Sequence, residues 1–342
     1  MAVRVGINGF GRIGRSFTRA LLARGKRAGV ELVAVNDPMG DSETMAFLLK
    51  HDSVSGVLPN DVKAGEHGFA IDGHDVHKLE VMNPADIPWG DHGVDVVIES
   101  TGLFTAREKA APHLGGSVHR VIISAPSGDA DAMICMGVND DVYDAAVHTV
   151  ISNASCTTNC LAPLAKVLND RFGIDQGLMT TVHAYTSDQS LQDLAKATRS
   201  GKPDLRRMRA AALSIIPSST GAARAIGLVL PELKGKLDGT SLRVPTPTGS
   251  ITDLTAILAR DTTIDEVNAA FAEAAVDPSF RGVLEYSTEP LVSADIVGNP
   301  ASCIFSAEDT MASGRMVKVL GWYDNEWGYS NRLVDLVTFV GA

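Results

Sequence analysis

The chain has 342 residues, of which 45% are hydrophobic and 21% charged, and its formal net charge is −11. This length exceeds the size at which one hydrophobic core stops growing, so we expect two domains. The composition excludes a disordered or fibrous chain, and the negative charge argues against general binding to nucleic acid or to an anionic membrane.

The N-terminus, MAVRVGINGF, lacks the succession of basic, apolar and small residues that marks a signal peptide. We therefore expect a cytoplasmic protein. Four cysteines in a chain of this length do not form a disulfide scaffold, so a free, reactive thiol is possible. No group of histidine, cysteine and aspartate has the spacing of metal ligands, and we predict no metal site.

The first half of the chain alternates short β-branched runs with helical patterns. Helices are predicted over 16–23 and 42–49. Strands are predicted over 3–7, 31–37, 94–100, 119–125 and 148–154. Strand and helix in alternation predict an α/β domain with a doubly wound parallel sheet.

A G-x-G-x-x-G motif follows the first predicted strand and opens the first helix. Its residues are Gly9, Phe10, Gly11, Arg12, Ile13 and Gly14. Gly9 permits the tight turn, Gly11 lets the backbone approach a pyrophosphate, and Gly14 allows close helix packing. The helix N-terminus favours the bound anion. The alternative is a βα turn without a ligand.

Asp37 ends the next predicted strand, roughly 20 residues beyond the glycine motif, where a carboxylate can bind the ribose 2′-hydroxyl of a dinucleotide. A 2′-phosphate would lie against this carboxylate, and the segment NDPMGD offers no arginine to neutralise it. The sequence therefore favours NAD over NADP. If no dinucleotide binds, Asp37 only caps a loop.

The second half contains one helical pattern, with Leu161, Leu164 and Phe172 on its apolar face, and then mostly strand-like stretches. With few crossover helices between strands, we expect a mixed or antiparallel sheet. A last helix is predicted over 331–340. The predicted strands span 177–185, 240–246, 250–258, 283–287, 302–307 and 316–323.

Cys156 lies between a predicted strand and a helix start, in the segment SCTTNC. Backbone N–H groups and the helix dipole there should lower the thiol pKa, which favours the nucleophilic thiolate. Cys160, one turn later, should face the interior. His183 ends a predicted strand and could take the thiol proton and return it. The alternative is a pair of inert packing residues.

The basic run Lys196 to Arg209 is the densest positive segment of this acidic chain. An anionic substrate must be held locally, and this run could contribute to that. A solvated loop or a loop that faces another subunit is the alternative interpretation.

Several motifs resemble the phosphorylating, NAD-dependent glyceraldehyde-3-phosphate dehydrogenase family, in the family's order from Val5 to Val337. The motifs are GINGFGRIGR, SNASCTTNCLAP, HAYTSDQ, SIIPSSTGAA, LRVPTPTGSITDL and WYDNEWGYSNR. The resemblance implies a Rossmann-type NAD-binding domain over 1–155 plus 324–342. It also implies an α+β catalytic domain over 156–323 and a homotetramer.

The resemblance also implies the reaction. Cys156 would attack the aldehyde of glyceraldehyde 3-phosphate to give a thiohemiacetal, and His183 would take the proton. Oxidation with NAD would leave a thioester, and inorganic phosphate would then attack it to give 1,3-bisphosphoglycerate, as in glycolysis or gluconeogenesis. A close relative that uses erythrose 4-phosphate or accepts NADP is the alternative enzyme, and a non-catalytic binding module is the alternative class.

The resemblance assigns binding roles to residues at matching positions. Thr186, Arg243 and nearby Asp188 would hold the C3 phosphate, with Arg207 also at a phosphate site. Ser155, Thr157, Thr220 and Gly221 would hold the attacking phosphate. If the resemblance is set aside, the alternative interpretation is that Thr220-Gly221 forms only a turn and that Arg243 is a cation on the surface of a strand. The implied cofactor residues are Gly9, Phe10, Gly11, Arg12, Ile13, Gly14, Asn36, Asp37, Ser124, Asn325 and Tyr329.

The loop after His183 departs from the family. Residues 190–205 are longer than the usual loop by about five residues, an insertion that surface loops tolerate. The segment also lacks the Leu-Pro pair of many NAD-specific members. In the family this loop packs across a subunit interface close to the neighbouring cofactor, so the difference bears on interface packing and cofactor discrimination.

Overall fold

A computed structural model of the chain describes residues 2–195 and 204–341, so the part of the basic run at 196–203 lies outside the described residues. The chain divides into two compact units. Unit 1 comprises Met1–Ile134, Asp140–Ala154 and Ser330–Ala342. Unit 2 comprises Cys135–Asn139 and Ser155–Tyr329.

Unit 1 is built on one large sheet with short helices. Its helices are α1 (Arg12–Arg24), α2 (Ser42–Lys50) and α3 (Arg107–Ala110). A separate hairpin is formed by β3 (His51–Asp52) and β4 (Gly56–Val57). The sheet contains β1 (Val3–Asn8), β2 (Val30–Asn36), β5 (Val62–Gly65), β6 (Gly68–Ile71), β7 (His74–Leu79), β8 (Val96–Glu99), β9 (Arg120–Ile123), β10 (Ala132–Met133) and β11 (Val150–Ser152).

The strand order of this sheet is β10-β11-β9-β8-β1-β2-β7-β6-β5. Strands from β10 to β7 pair in parallel, and β5 and β6 extend the edge by antiparallel pairing. From β1 the chain passes to β2 on one side and later to β8 and β9 on the other, so the strand order reverses beside β1. Ligands bind outside the carboxyl ends of strands at such a reversal. The predicted doubly wound parallel sheet is confirmed.

A buried polar network lies at the carboxyl ends of these central strands. The Glu99 carboxylate accepts hydrogen bonds from Asn8 Nδ2 at 2.6 Å and from the Thr101 backbone N–H at 2.9 Å, and also from the Thr101 hydroxyl. His113 Nε2 lies 3.1 Å from the same carboxylate, and the Trp89 indole N–H donates to His113 Nδ1. The buried Glu99 carboxylate is therefore hydrogen-bonded, and it joins β1 to the loop after β8.

The helices of unit 2 are α4 (Cys156–Phe172), α5 (Ala222–Val229) and α6 (Ile264–Val276). Its strands are β12 (Ile174–Ala184), β13 (Ile216–Ser219), β14 (Leu237–Val244), β15 (Ser250–Leu258), β16 (Leu284–Ser287), β17 (Cys303–Ser313) and β18 (Met316–Tyr323). The last helix is α7 (Trp327–Val340), whose residues from Ser330 onward belong to unit 1.

The sheet of unit 2 has the order β13-β14-β12-β15-β18-β17-β16. β12 pairs with β14 and β16 with β17 in parallel, whereas the other neighbours are antiparallel. Residues of β15 alternate between buried and partly exposed, and α4 packs against β15 and β18. This sheet confirms the mixed architecture that was predicted for the second domain.

Some elements differ from the sequence prediction. The sequence analysis did not identify α5, α6 and β13, nor the edge strands β5 to β7. The buried stripe of α6 consists of Val267, Ala270 and Phe271, and this alanine-rich face gives little apolar periodicity. Short 3-10 helices lie at Gly25–Ala28, Pro84–Asp86, Trp89–His92, Ala111–His113, Asp140–Val142, Ala211–Leu213, Pro231–Leu233, Pro278–Phe280 and Ser293–Ile296.

The unit boundary near the C-terminus also differs from the predicted domain boundary. Residues 324–329, which the resemblance assigns to the NAD-binding domain, cluster with unit 2. The Thr248 hydroxyl donates to Asp324 Oδ1 at 2.8 Å, and the Ser250 hydroxyl donates to Asn325 Oδ1 at 2.8 Å. These buried hydrogen bonds tie the segment after β18 to the strand beside it.

Candidate active site

The glycine motif forms the turn between β1 and α1. Gly9 has a φ of +92°, and a Cβ there would lie 2.6 Å from the backbone nitrogen of Thr101. A Cβ on Gly14 would lie 2.7 Å from the carbonyl oxygen of Gly9. Both glycines are thus required by close backbone packing.

Gly11 has a different reason to be glycine. No atom lies within 4 Å of the position that its Cβ would take, so the space is open. Gly11 is also the N-cap of α1 and provides no side-chain cap. An open space at an uncapped helix N-terminus fits the pyrophosphate of a dinucleotide, which the backbone N–H groups and the helix dipole can bind.

Asp37 lies directly beside this turn. Its Oδ2 accepts the backbone N–H of Phe10 at 2.9 Å, and its Oδ1 accepts the backbone N–H of Met39 at 2.9 Å. The carboxylate is therefore held at the carboxyl end of β2, next to the pyrophosphate position. A ribose hydroxyl can donate to its remaining lone pairs.

The other predicted cofactor residues of unit 1 have internal roles as well. Asn36 is buried, and its amide bonds Asn8 Oδ1 and the backbone of Val81. Phe10 is buried against the Phe69 ring, and the Arg12 side chain pairs with Asp52 at 3.0 Å. Ile13 and Ser124 are half-buried near the carboxyl ends of β1 and β9. Asn36 and Phe10 thus shape the turn through packing.

Cys156 is the first residue of α4, as predicted. Ser155 is the N-cap, and its hydroxyl oxygen accepts the Thr158 backbone N–H at 3.0 Å. The residue before it, Ala154, has a left-handed backbone with a φ of 55°. Cys156 is partly exposed, whereas Cys160 is buried with its Sγ 3.4 Å from the carbonyl oxygen of Gly321. Of the two cysteines in the motif, only Cys156 is partly exposed as a residue.

The Sγ of Cys156 lies 3.4 Å from Nε2 of His183, near the end of β12. Nδ1 of His183 lies 2.6 Å from the carbonyl oxygen of Ala184, which can only accept a hydrogen bond. Arg243 Nη1, which can only donate, lies farther from the same nitrogen, at 3.3 Å. The shorter contact assigns the imidazole proton to Nδ1, so Nε2 presents its lone pair to the thiol. The predicted nucleophile and base meet, in the tautomer that base catalysis needs.

Burial sets the protonation of both groups. It lowers the pKa of His183 to about 3, and the neighbouring Arg243 guanidinium adds to this shift. Burial raises the pKa of the Cys156 thiol to about 11, although Arg243 and hydrogen bonds at Thr157 act in the opposite direction. The predicted lowering of the thiol pKa is thus not found, because burial outweighs the helix N-terminus.

The free protein accordingly holds a neutral thiol against a neutral imidazole at neutral pH. A neutral imidazole is a proton acceptor, so the thiol proton has a defined destination at Nε2 when sulfur attacks an electrophile. The arrangement suits nucleophilic catalysis in which proton transfer accompanies attack.

Four predicted phosphate ligands cluster beside this pair. Arg243 stands opposite His183 in the β12–β14 register, and its Nη1 donates to the Thr186 hydroxyl at 2.7 Å and to the Ala184 carbonyl at 3.2 Å. Its Nε is buried without a hydrogen-bond partner in the structure. Arg207 pairs with Asp188, which also accepts from Thr186.

This cluster fits an anion. Two guanidinium groups and a hydroxyl provide donors, and a buried N–H without a partner calls for an acceptor. Asp188 cannot donate to a phosphate when ionised, so its contribution is to orient Thr186 and Arg207. Burial would raise the pKa of Asp188, but the hydrogen bond from Thr186, the nearby charge of Arg243 and the ion pair with Arg207 hold it below its usual value.

The second predicted phosphate set is less uniform. The Thr157 hydroxyl is buried and lies 2.8 Å from the Tyr323 hydroxyl, so it points away from solvent. Thr220 Oγ1 accepts the Ala222 backbone N–H at 3.2 Å, and Gly221 is the N-cap of α5 with open space around its Cβ position. Backbone N–H groups at the starts of α4 and α5 are the donors that remain for an anion.

Asn325 and Tyr329 are both buried in unit 2, after β18 and in the first turn of α7. Sequence reasoning missed the polar residues that surround Asn325, notably Asp324 and Ser250. No spacing rule singles them out, because their importance depends on which strands are neighbours in the sheet.

Within residues 2–195 and 204–341, no group of three or more histidine, cysteine, aspartate or glutamate residues could hold a metal ion. In the same part of the chain, no helix has the length and apolar character needed to cross a membrane.

The chain matches known proteins along its whole length. A family model for the glyceraldehyde 3-phosphate dehydrogenase C-terminal domain matches residues 155–325. A second model, for the NAD binding domain of glyceraldehyde 3-phosphate dehydrogenase, matches residues 3–107.

Curated proteins named glyceraldehyde-3-phosphate dehydrogenase are similar to the chain. The protein from Streptomyces coelicolor is 58% identical over 342 residues, which is 100% of this chain and 99% of the relative. The proteins from Mycolicibacterium smegmatis and Mycobacterium bovis are 58% and 59% identical over 346 and 345 residues, again 100% of this chain and 99% of each relative. The chain belongs to the glyceraldehyde-3-phosphate dehydrogenase family.

Proposed function

We propose that the chain oxidises D-glyceraldehyde 3-phosphate with NAD and phosphorylates the product to 1,3-bisphosphoglycerate, in glycolysis or gluconeogenesis. The observation that carries this proposal is the 3.4 Å contact between Cys156 Sγ and His183 Nε2, beside the cluster of Arg243 and Thr186. A nucleophile, its base and an anion site are thus adjacent. The family membership supplies the substrate and cofactor.

In the proposed reaction, Sγ of Cys156 adds to the aldehyde carbon as Nε2 of His183 takes the thiol proton. The proton passes to the developing alkoxide, which gives a thiohemiacetal. His183 then removes the hydroxyl proton as the carbonyl re-forms, and a thioester on Cys156 results. NAD, when bound, supplies the hydride acceptor for this oxidation.

Two phosphates have separate proposed sites. Arg243 and Thr186 bind the C3 phosphate of the substrate, with Arg207 at the same site and Asp188 orienting the donors. The attacking phosphate binds chiefly to backbone N–H groups at the N-termini of α4 and α5. The residues of this second site are Ser155, Thr157, Thr220 and Gly221. The attacking phosphate displaces the Cys156 thiolate from the thioester, so the acyl group leaves as an acyl phosphate.

The cofactor roles follow the same reasoning. The turn from Gly9 to Gly14 binds the pyrophosphate, and Asp37 accepts from the ribose hydroxyls, with Asn36 and Ser124 shaping that region. Asn325 donates to the nicotinamide carboxamide, and Tyr329 lies beside it in sequence. Residues 1–155 with 324–342 form the NAD-binding domain in this proposal, and residues 156–323 the catalytic domain. We propose a cytoplasmic homotetramer.

The decisive experiment follows NADH absorbance with glyceraldehyde 3-phosphate, with and without inorganic phosphate. We expect phosphate-dependent turnover that is lost in Cys156→Ser. Cys160→Ser is the matched control, since it changes a buried thiol one turn along the same helix. Turnover that is absent, or equal without phosphate, would contradict the proposal.

A further inference from the structure

The Ser250 hydroxyl joins two residues of the candidate active site. Ser250 begins β15 and is fully buried, with 0% of its surface exposed. Its Oγ lies 3.0 Å from the backbone nitrogen of Ala184 and 2.8 Å from Oδ1 of Asn325. Ala184 follows His183 on β12, so the Ser250 side chain connects the strand that carries His183 with Asn325, two residues beyond β18.

The chemistry of these contacts fixes the direction of each hydrogen bond. The Ala184 N–H can only donate, so the Ser250 oxygen accepts from it. The single hydroxyl proton of Ser250 is then directed to Asn325, which must present its carbonyl oxygen rather than its NH2 group. The two ends of an amide have nearly the same shape, so this hydrogen bond selects one of two otherwise similar orientations.

A neighbouring residue strengthens this selection. The Thr248 hydroxyl donates to the Asp324 carboxylate at 2.8 Å, and Asn325 Oδ1 lies farther from it, at 3.4 Å. The Asp324 carboxylate is held by backbone N–H groups of Gly298, Glu326 and Trp327, so the turn that carries Asn325 is fixed. The Asn325 side-chain amide could still rotate, and the hydrogen bond from Ser250 prevents that rotation.

We propose that Ser250 is a positioning residue that holds the Asn325 amide with Nδ2 directed to the nicotinamide carboxamide. The inference rests on the proposed function, because it concerns how Asn325 meets the cofactor. An outward N–H donates to the carboxamide oxygen, whereas a flipped amide would offer an oxygen to the carboxamide nitrogen. Ser250 therefore determines the orientation of the nicotinamide ring, and with it the ring face that receives hydride.

The test compares Ser250→Ala with Thr252→Val. Thr252 lies two residues farther along β15, is also fully buried, and its hydroxyl has no hydrogen-bond partner in the structure. Each variant removes one buried hydroxyl from the same strand, but only the first frees Asn325. We expect Ser250→Ala to raise the calorimetric Kd for NAD about tenfold, as expected when one partner of a buried hydrogen bond is removed, and Thr252→Val to leave it unchanged.

Two further measurements separate positioning from general damage. In a double-mutant cycle, Ser250→Ala should have no added effect on the NAD Kd once Asn325 is replaced by alanine. The second measurement uses unlabelled substrate and NAD that is deuterated at the reacting carbon of the nicotinamide ring. NMR of the NADH formed by the wild type should show hydride transfer to one face of the ring. Ser250→Ala should lose this single-face transfer.

The outcomes distinguish the inference from the proposed function. If the wild type binds NAD and turns over but Ser250→Ala matches Thr252→Val in affinity and stereochemistry, the inference is wrong. If the wild type does not bind NAD, the proposed function itself fails. Ser250→Cys, which has a similar shape and a weak thiol donor, gives the same comparison if the alanine variant does not fold.

Discussion

Replacing Arg243 by methionine should strongly lower the preference of the enzyme for a phosphorylated aldehyde. Methionine keeps an unbranched apolar stem but has no charge. The guanidinium offers Nε, which is buried without a partner, and Nη1, which lies at Thr186. Two charge-assisted hydrogen bonds at about 1.5 kcal/mol each give about 3 kcal/mol, or roughly a hundredfold in kcat/KM.

The assay compares kcat/KM for glyceraldehyde 3-phosphate with that for unphosphorylated D-glyceraldehyde. The ratio of the two kcat/KM values isolates the phosphate contact, because damage to the pair of Cys156 and His183 lowers kcat/KM for both substrates. Arg209→Met is the matched control, since that guanidinium is exposed and pairs only with Asp193 among the described residues. A ratio that is unchanged in Arg243→Met would refute the assignment of this arginine to the C3 phosphate.

The same substitution has a second expected effect. The Arg243 charge contributes to the low pKa of His183, after the larger effect of burial. Without that charge the pKa of His183 should rise, so the imidazole becomes protonated, and unable to accept the thiol proton, at a higher pH. The acidic limb of the rate profile with D-glyceraldehyde should therefore move to higher pH in Arg243→Met, and it should not move in Arg209→Met.

Three other predictions concern the cofactor turn and acid stability. Gly11→Ala should fold normally but weaken NAD binding in calorimetry, because no atom lies within 4 Å of its Cβ position. Gly9→Ala should lower the yield of folded protein, because its Cβ position lies 2.6 Å from backbone. Equal folding of both variants would contradict this. Burial lowers the pKa of His183 from 6.5 to about 3, so it destabilises the fold as pH falls below 6.5, by about 2 kcal/mol at pH 5. His183→Asn should therefore lose less stability than wild type in urea titrations between pH 7 and about 5. Although burial opposes it, backbone N–H groups of Ser55 and Val54 with Arg12 lower the pKa of Asp52 to about 2. Asp52→Asn should cost about 2 kcal/mol at pH 7, and the difference should shrink as pH falls below about 4; a constant difference would exclude the ionised carboxylate as its source.

Local patterns were sufficient for much of the fold and for part of the site. The glycine turn, Asp37 after β2, and Cys156 at the start of α4 each depend on a few consecutive residues, and the structure has them as predicted. The pairing of Cys156 with His183 was a hypothesis from the residues that the family resemblance supported, because no spacing rule relates residues on a helix and a strand.

Other features depend on three-dimensional context. The Thr157 hydroxyl turns toward Tyr323 because of the face on which α4 packs, and the sequence does not specify that face. The thiol pKa was predicted in the wrong direction, since the effect of a helix N-terminus is local whereas burial depends on the whole unit. Ser250 is one residue of the motif LRVPTPTGSITDL, and its contacts with Ala184 and Asn325 depend on the pairing of β12, β15 and β18.

The Glu99 network has a consequence for the thermodynamics of ligand binding. Glu99 fixes the Thr101 backbone, which abuts Gly9, and the Asn8 side chain ties the same carboxylate to β1 and β2. The conformational entropy of the turn is therefore lost when the chain folds, and little remains to be lost when a ligand arrives. In a preorganised turn of this kind, little of the free energy of the phosphate contacts is offset by ordering the turn, so these contacts contribute almost fully to affinity.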